Sequence, residues 1–203
     1  MNATFFNRTV KLSILDSPFF MNHKQFPSII AKQETSISKW LTLVERDVKF
    51  SEEEPVETYH SLRPFDYVSV LAVTPDLKIP LVQQYRPSLE SETLELPGGL
   101  LDTNDSPKKT ALTELREETG LVSSRIELLG VLTPDPGRLD NRFYCFFAPN
   151  AEMDSTAIIE KRIKLVWTNI EELRQMVLDG RFTSCPQISL LALASLRGHI
   201  KVF

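Results

Sequence analysis

Glu114, Glu117 and Glu118 place three carboxylates within five residues, just before Gly120. At helical spacing Glu114 and Glu118 are i,i+4 neighbours and Glu117 is i+3 from Glu114, so like charges share one face. Each such pair costs roughly 0.2–0.5 kcal/mol, and acids near a helix C-terminus also oppose its negative end. A solvated acidic face relieved by Arg116 and nearby lysines is one explanation; a bound cation is the other. Upstream, Leu94-Glu95-Leu96-Pro97-Gly98-Gly99 carries an alternating strand into a Gly-Gly turn. Glycine lets backbone approach a ligand closely, and a turn carbonyl would complete the hard-oxygen site that Mg²⁺ or Mn²⁺ prefers.

The element that must carry these acids is well marked. Ser106 suits an N-cap and Pro107 the first helical position, where no N–H is needed. Ala111, Leu112 and Leu115 recur at spacings of three and four, and Gly120 suits the left-handed residue that ends a helix. About three and a half turns are predicted.

These residues resemble the Nudix hydrolase signature, G-x5-E-x7-R-E-U-x-E-E-x-G-U, where U is a bulky aliphatic. Its core is met in full by Glu114-Leu-Arg-Glu117-Glu118-Thr-Gly120-Leu121, with Gly99 as the first glycine. Two positions depart: Asp105 stands for the early Glu and Thr113 for the Arg, whose usual role is a supporting salt bridge. The pair reads as a compensated change. Residues 66–87 resemble the opening hairpin of the family's fold and end in the Gln-Tyr-Arg-Pro run of its ADP-ribose and ADP-sugar pyrophosphatase branch. Pro136, fifteen residues past Leu121, also matches that branch.

The resemblance implies an α/β/α sandwich with a mixed central sheet and an N-terminal strand extension. It implies divalent metal held by the Gly98 carbonyl, Glu114 and Glu118, with Glu117 assisting, so that Glu117 and Glu118 also count as catalytic. A pyrophosphate entering an acid-lined pocket needs Mg²⁺ or Mn²⁺ to neutralise it and activate water. Arg86 is the best partner for phosphate because its planar fork makes paired bonds; Glu95, Arg138 and Arg142 complete the expected substrate-binding set. The general base is expected between residues 148 and 163, among Glu152, Asp154 and Glu160, with Glu160 preferred and Glu117 the substitute. Hydrolysis of ADP-ribose or an ADP-sugar to AMP and a sugar phosphate is the leading expectation. The alternatives are another Nudix substrate (a dinucleotide cofactor, another nucleotide sugar, a coenzyme A derivative) or a nucleotide-sensing module with a weakened box.

With 203 residues, 42% hydrophobic and 25% charged, the chain can bury a full core. Its net charge of −4 and lack of a basic stripe argue against a nucleic-acid surface. Two cysteines, Cys145 in a strand pattern and Cys185 in a loop, lack ligand or redox spacing, and three scattered histidines support neither a zinc site nor a triad. No apolar run approaches the ~18 residues of a membrane span, and no h-region is seen, so a cytoplasmic protein is expected.

Residues 1–35 form an unassigned arm, 36–62 strands expected to mediate a homodimer, and 63–203 the catalytic domain. Strands are predicted at 40–50, 56–60, 126–132, 143–148 and 163–167. Helices follow at 170–178, capped by Asn169, and at 186–196. Trp167 is expected to pack between sheet and helix, with a place at an edge of the pocket as the alternative.

Overall fold

A computed structural model describes residues 26–201. Its elements are β1 (Ser28–Ser38), β2 (Leu41–Lys49), β3 (Glu57–Pro64), β4 (Tyr67–Val73), β5 (Ile79–Arg86), β6 (Ser91–Glu95), α1 (Pro107–Thr119), β7 (Leu121–Val122), β8 (Glu127–Leu132), β9 (Phe143–Pro149), β10 (Glu152–Met153), β11 (Lys164–Thr168), α2 (Ile170–Leu178) and α3 (Cys185–Leu196). Most of the arm assigned to residues 1–35 lies outside the described residues, but β1 begins within it and runs past residue 35. Cys185, expected in a loop, opens α3.

Two compact units divide the described chain: residues up to Lys32 together with Arg46–Tyr59, and Gln33–Glu45 together with His60 onward. In the first, Thr58 donates to Asp47 at 2.7 Å and Phe50 meets Tyr59 edge to face. Strands β1, β2 and β3 form one sheet in that order.

The second unit is built on alternation. β4 pairs in parallel with β9, and β8 pairs antiparallel with β9, giving a mixed sheet. Successive strand side chains point to opposite faces, and the two faces bury different sets. Leu71, Phe143, Cys145 and Phe147 join Leu173 of α2 and Leu190, Leu191 and Ala194 of α3. Val68, Val70, Ala72, Phe146 and Ala148 join Ala111 and Leu115 of α1. Helices thus cover both faces, the expected α/β/α sandwich. Each fully buried Leu or Phe contributes about 1.5–3 kcal/mol.

A second sheet, ordered β11-β5-β6, is antiparallel throughout. It corrects the expected hairpin over residues 66–87, because β4 and β5 belong to different sheets. The Thr74 N–H donates to the Lys78 carbonyl at 3.0 Å and closes a turn at the shared end. Beyond it β4, buried on both faces, takes β9 as its partner, while β5 takes β6 and β11.

Trp167 also departs from expectation. Period-two alternation sends Val166 to the core and leaves Trp167 39% exposed, lining a cavity of about 510 Å³ with Met153 and Leu121. Among the described residues no helix is long and apolar enough to cross a membrane.

Candidate active site

The acidic helix forms as its caps dictate. Ser106 accepts the Lys109 N–H, Pro107 opens the helix, and Gly120 ends it at φ 73° with its N–H on the Arg116 carbonyl. The Ser106 cap contributes about 1 kcal/mol. Asp105 pairs with Lys109 at 2.7 Å, one turn along, so the shortened acid finds its cation locally and Thr113 stands exposed.

The three glutamates do not share one environment. Glu117 is exposed, Glu114 half-buried, and Glu118 only 5% exposed. Glu118 is turned toward the Gly-Gly bend, where its Oε2 accepts the Gly98 N–H at 2.7 Å. The flanking carbonyls point elsewhere, Pro97 to the Val70 N–H at 2.8 Å and Gly99 to the Val68 N–H at 2.9 Å. Both glycines are closely approached, Gly98 by backbone and Gly99 by a side chain that can move. A Cβ on Gly98 would strike the Val68 carbonyl, and one on Gly99 would strike the Glu114 carboxylate. The backbone therefore lies directly against both acids.

Crowding shows in the electrostatics. Burial pushes the Glu118 carboxyl up to about 8; the Gly98 hydrogen bond opposes this, Glu114 and Glu160 add to it, and Arg86 opposes it. Burial also raises Glu114, helped by Glu117, Glu160 and Asp102. Among the described residues no three His, Cys, Asp or Glu side chains converge to ligating distance. The donors suit a magnesium-type ion nonetheless, because such ions take one or two carboxylates and fill the rest with carbonyl, water and substrate oxygens. Glu114, Glu118 and the Gly98 carbonyl could supply that set, with Glu117 beside them.

The loop after β10 reaches the same helix end. The Glu160 N–H donates to the Glu117 carbonyl at 3.0 Å, and its charge is felt by Glu114 and Glu118. Asp154 is committed elsewhere: hydrogen bonds from Thr156 and Arg116 hold its carboxyl at about 2. An acid so strongly held ionised makes a poor proton acceptor at neutral pH. Glu152 is exposed in β10 and lines the Trp167 cavity instead.

Arg86 of β5 and Glu95 of β6 share one face of the sheet and meet diagonally, Arg86 opposing Ser91 and Glu95 opposing Val82 in the register. Arg86 Nε donates to Glu95 Oε1 at 2.7 Å and Nη2 to Oε2 at 2.6 Å, with Thr93 Oγ1 adding a bond at 2.6 Å. Burial raises Glu95, but the Arg86 and Thr93 bonds outweigh it and hold the carboxyl below its usual range. Two cavities, of about 280 and 170 Å³, share Arg86, Glu95 and Ser184 in their walls, and the smaller also touches Gly98 and Gly99.

Arg138 and Arg142 line neither cavity. Arg138 is 84% exposed and faces Asp135 at 3.8 Å, while the Arg142 N–H anchors to Asp66 and its guanidinium reaches Thr133. The Asp135–Gly137 turn and the bonds that follow it tie this loop to Leu62, Asp66 and Tyr67.

Sequence reading missed Gln187. It sits in an apolar helix without any motif, is 7% exposed, accepts the Leu96 N–H at 2.8 Å and donates to the Leu96 carbonyl at 3.1 Å. It also donates to Ser69 Oγ, which itself donates to the Pro97 carbonyl at 3.1 Å. A lone polar residue on the buried face of α3 was the available signal. Tyr67, lining the smaller cavity, and Asp102, whose charge raises Glu114, had none.

With this geometry the chain resembles known proteins. A model of the NUDIX domain matches residues 63–185. The ADP-ribose pyrophosphatase of Bacillus subtilis is 29% identical over 150 residues, covering 74% of this chain and 78% of that one. The CMP-5'-(N-acetyl-N-hydroxy-3-aminopropyl)phosphonate hydrolase of Streptomyces rubellomurinus is 30% identical over 169 residues, covering 79% of each. The ADP-ribose pyrophosphatase of Mycobacterium tuberculosis is 31% identical over 138 residues, covering 64% of each. A crystal structure of an ADP compounds hydrolase shares the fold with a TM-score of 0.72 at 24% identity, over 86% of this chain and 96% of that one. A domain match spanning more than half of the residues, on a sandwich whose capped acidic helix abuts a Gly-Gly bend, makes this chain a member of the Nudix hydrolase family, in its ADP-ribose pyrophosphatase-like branch.

Proposed function

We propose that the protein is a divalent-metal-dependent pyrophosphatase of nucleoside diphosphate-linked substrates, with ADP-ribose or an ADP-sugar first, yielding AMP and a sugar phosphate. The carrying observation is the Glu114–Glu118 pair pressed against Gly98 and Gly99, on a bend that also borders the Arg86 cavity. When bound, Mg²⁺ or Mn²⁺ offsets the diphosphate's charge and acidifies water. The Gly98 carbonyl, Glu114 and Glu118 hold it, and Glu117 stands by. Glu160 takes the proton from the attacking water, whose oxygen bonds to phosphorus as the anhydride bond breaks. Arg86 grips a phosphate oxygen through Nη1, since Nε and Nη2 are engaged by Glu95. Glu95 thereby fixes the direction of the guanidinium and offers the remaining lone pair of Oε2 to a substrate hydroxyl.

The CMP-linked phosphonate hydrolase among the relatives favours a second reading, in which the same site accepts another base. A homodimer belongs to the proposal too, supported by the exposed isoleucines 29, 30 and 37 of β1. So does a cytoplasmic location, which suits the free thiols of Cys145 and Cys185.

Product analysis over ADP-ribose, ADP-sugars, a CMP conjugate, dinucleotides and coenzyme A, each with Mg²⁺ and Mn²⁺, tests the assignment. AMP release from ADP-ribose that stops on adding EDTA is expected. Tight ADP-ribose binding without turnover, unchanged in Thr113→Arg, would overturn it in favour of a sensing module.

A further inference from the structure

The loop that carries Glu160 has a single isoleucine, Ile159, beside the end of α1. Ile158 is 87% exposed, and Ile159, whose side chain lies beside Gly120, is 37% exposed, so burial holds this segment only in part. Polar bonds to the end of α1 add to it. Arg116 Nε donates to Asp154 Oδ2 at 2.8 Å and Nη2 to Thr156 Oγ1 at 3.3 Å. Asp154 also accepts the Thr156 N–H and hydroxyl at 2.8 and 2.7 Å, closing a tight turn at the loop's entry. Its own N–H reaches the Gly120 carbonyl at 2.9 Å, and Gly120 in turn donates to the Arg116 carbonyl at 2.9 Å. The backbone and the side chain of Arg116 thus meet the same loop through two routes. Four residues after Thr156, the Glu160 N–H lands on the Glu117 carbonyl at 3.0 Å.

We propose that Arg116 and Asp154 are positioning residues whose ion pair holds the Glu160 segment against the acidic end of α1, keeping the general base in register with the reacting diphosphate. The proposal rests on the reading of Glu160 as that base. Arg116 occupies the variable position of the signature core, between Leu115 and Glu117, and its side chain leaves the helix on the loop side. The pair is solvent-accessible, 41% and 22% by side chain, so it contributes little to global stability. Its effect falls on placement, where an error of about 1 Å can cost up to about 100-fold in rate.

Arg116→Ala and Arg116→Lys, each with and without Glu160→Gln, test this in the full chain. Amide hydrogen exchange over residues 153–161, read without substrate, should speed up about tenfold or more in Arg116→Ala and less in Arg116→Lys, with Tm unchanged. With ADP-ribose and Mg²⁺, kcat should fall about 10- to 100-fold in Arg116→Ala while KM stays within about threefold. Adding Arg116→Ala to Glu160→Gln should cost nothing further. Unchanged exchange, or losses that multiply in the double variant, would overturn the proposal. Wild-type turnover in Glu160→Gln alone would instead remove Glu160 as the base and with it the catalytic purpose of the clamp, whatever the exchange rates show.

Discussion

Glu118 and Gly98 are joined by a 2.7 Å hydrogen bond from the backbone N–H to Oε2, which makes the glycine bend and the end of α1 one unit. The bond gives the buried carboxylate a partner. It does not neutralise it, and the carboxyl stays raised to about 8.

Glu118→Gln keeps an oxygen to accept the Gly98 N–H but removes the charge. We expect turnover of ADP-ribose to fall by about two orders of magnitude or more, with a fold unchanged by circular dichroism. Near-wild-type activity would exclude Glu118 from metal binding.

The same carboxyl makes stability depend on pH. In the unfolded chain it releases its proton near 4.5, whereas the folded protein holds it until about 8. The folded state therefore binds more protons across that window, and stability present below pH 4.5 is lost as pH rises toward 8, by an amount on the order of a few kcal/mol. Mg²⁺, binding only the folded state, should restore it. Thermal melts at pH 5 and pH 8, with and without Mg²⁺, check this; equal slopes in wild type and Glu118→Gln would count against it.

Gly98→Ala and Gly99→Ala should separate stability from metal affinity. At Gly98 the added carbon meets the Val68 backbone, which cannot yield, and a loss of about 3 kcal/mol is expected. At Gly99 it meets the movable carboxylate of Glu114. Here denaturation should shift little while the Mg²⁺ concentration needed for half-maximal activity rises severalfold. Similar melting curves for the two variants would contradict the contacts described.

Arg86→Ala removes both the phosphate grip and the partner of Glu95. KM should rise about tenfold or more with a smaller change in kcat. Because Arg86 is 43% exposed, the stability cost should be modest, about 1 kcal/mol. Arg86→Lys keeps the charge without the fork and should recover only part of the affinity. An unchanged KM in Arg86→Ala would take the residue out of the site.

Gln187→Leu fills similar space but leaves the Leu96 N–H without its partner and the Leu96 carbonyl with only the Ser69 hydroxyl at 3.5 Å. Each orphaned buried group costs about 1–3 kcal/mol. Urea denaturation should register a loss of that order, accompanied by faster exchange of the Gly98 amide. A neutral result would show that water takes over the Leu96 N–H.

Many of the chain's local rules were readable, though β1 was not. Ser106, Pro107 and Gly120 bound α1 as their types require, Asn169 and Glu172 form the capping box of α2, and strands 143–148 and 163–167 fall within a residue of their predicted limits. Caps, helical periods and strand alternation involve residues no more than four apart, so sequence alone determines them, and the Nudix box with them. Which partners those elements meet is different. The bonds that shape the site join residues 20 apart (Gly98 and Glu118), 38 apart (Arg116 and Asp154) and 118 apart (Ser69 and Gln187). Only the packed structure decided that β4 leaves β5 for β9, that Trp167 faces outward, that Arg138 and Arg142 line neither cavity beside Arg86, and that Glu118 is buried while Glu117 is not. The physical reason is that burial and desolvation belong to whatever surfaces are brought together, and no short stretch of chain carries that information.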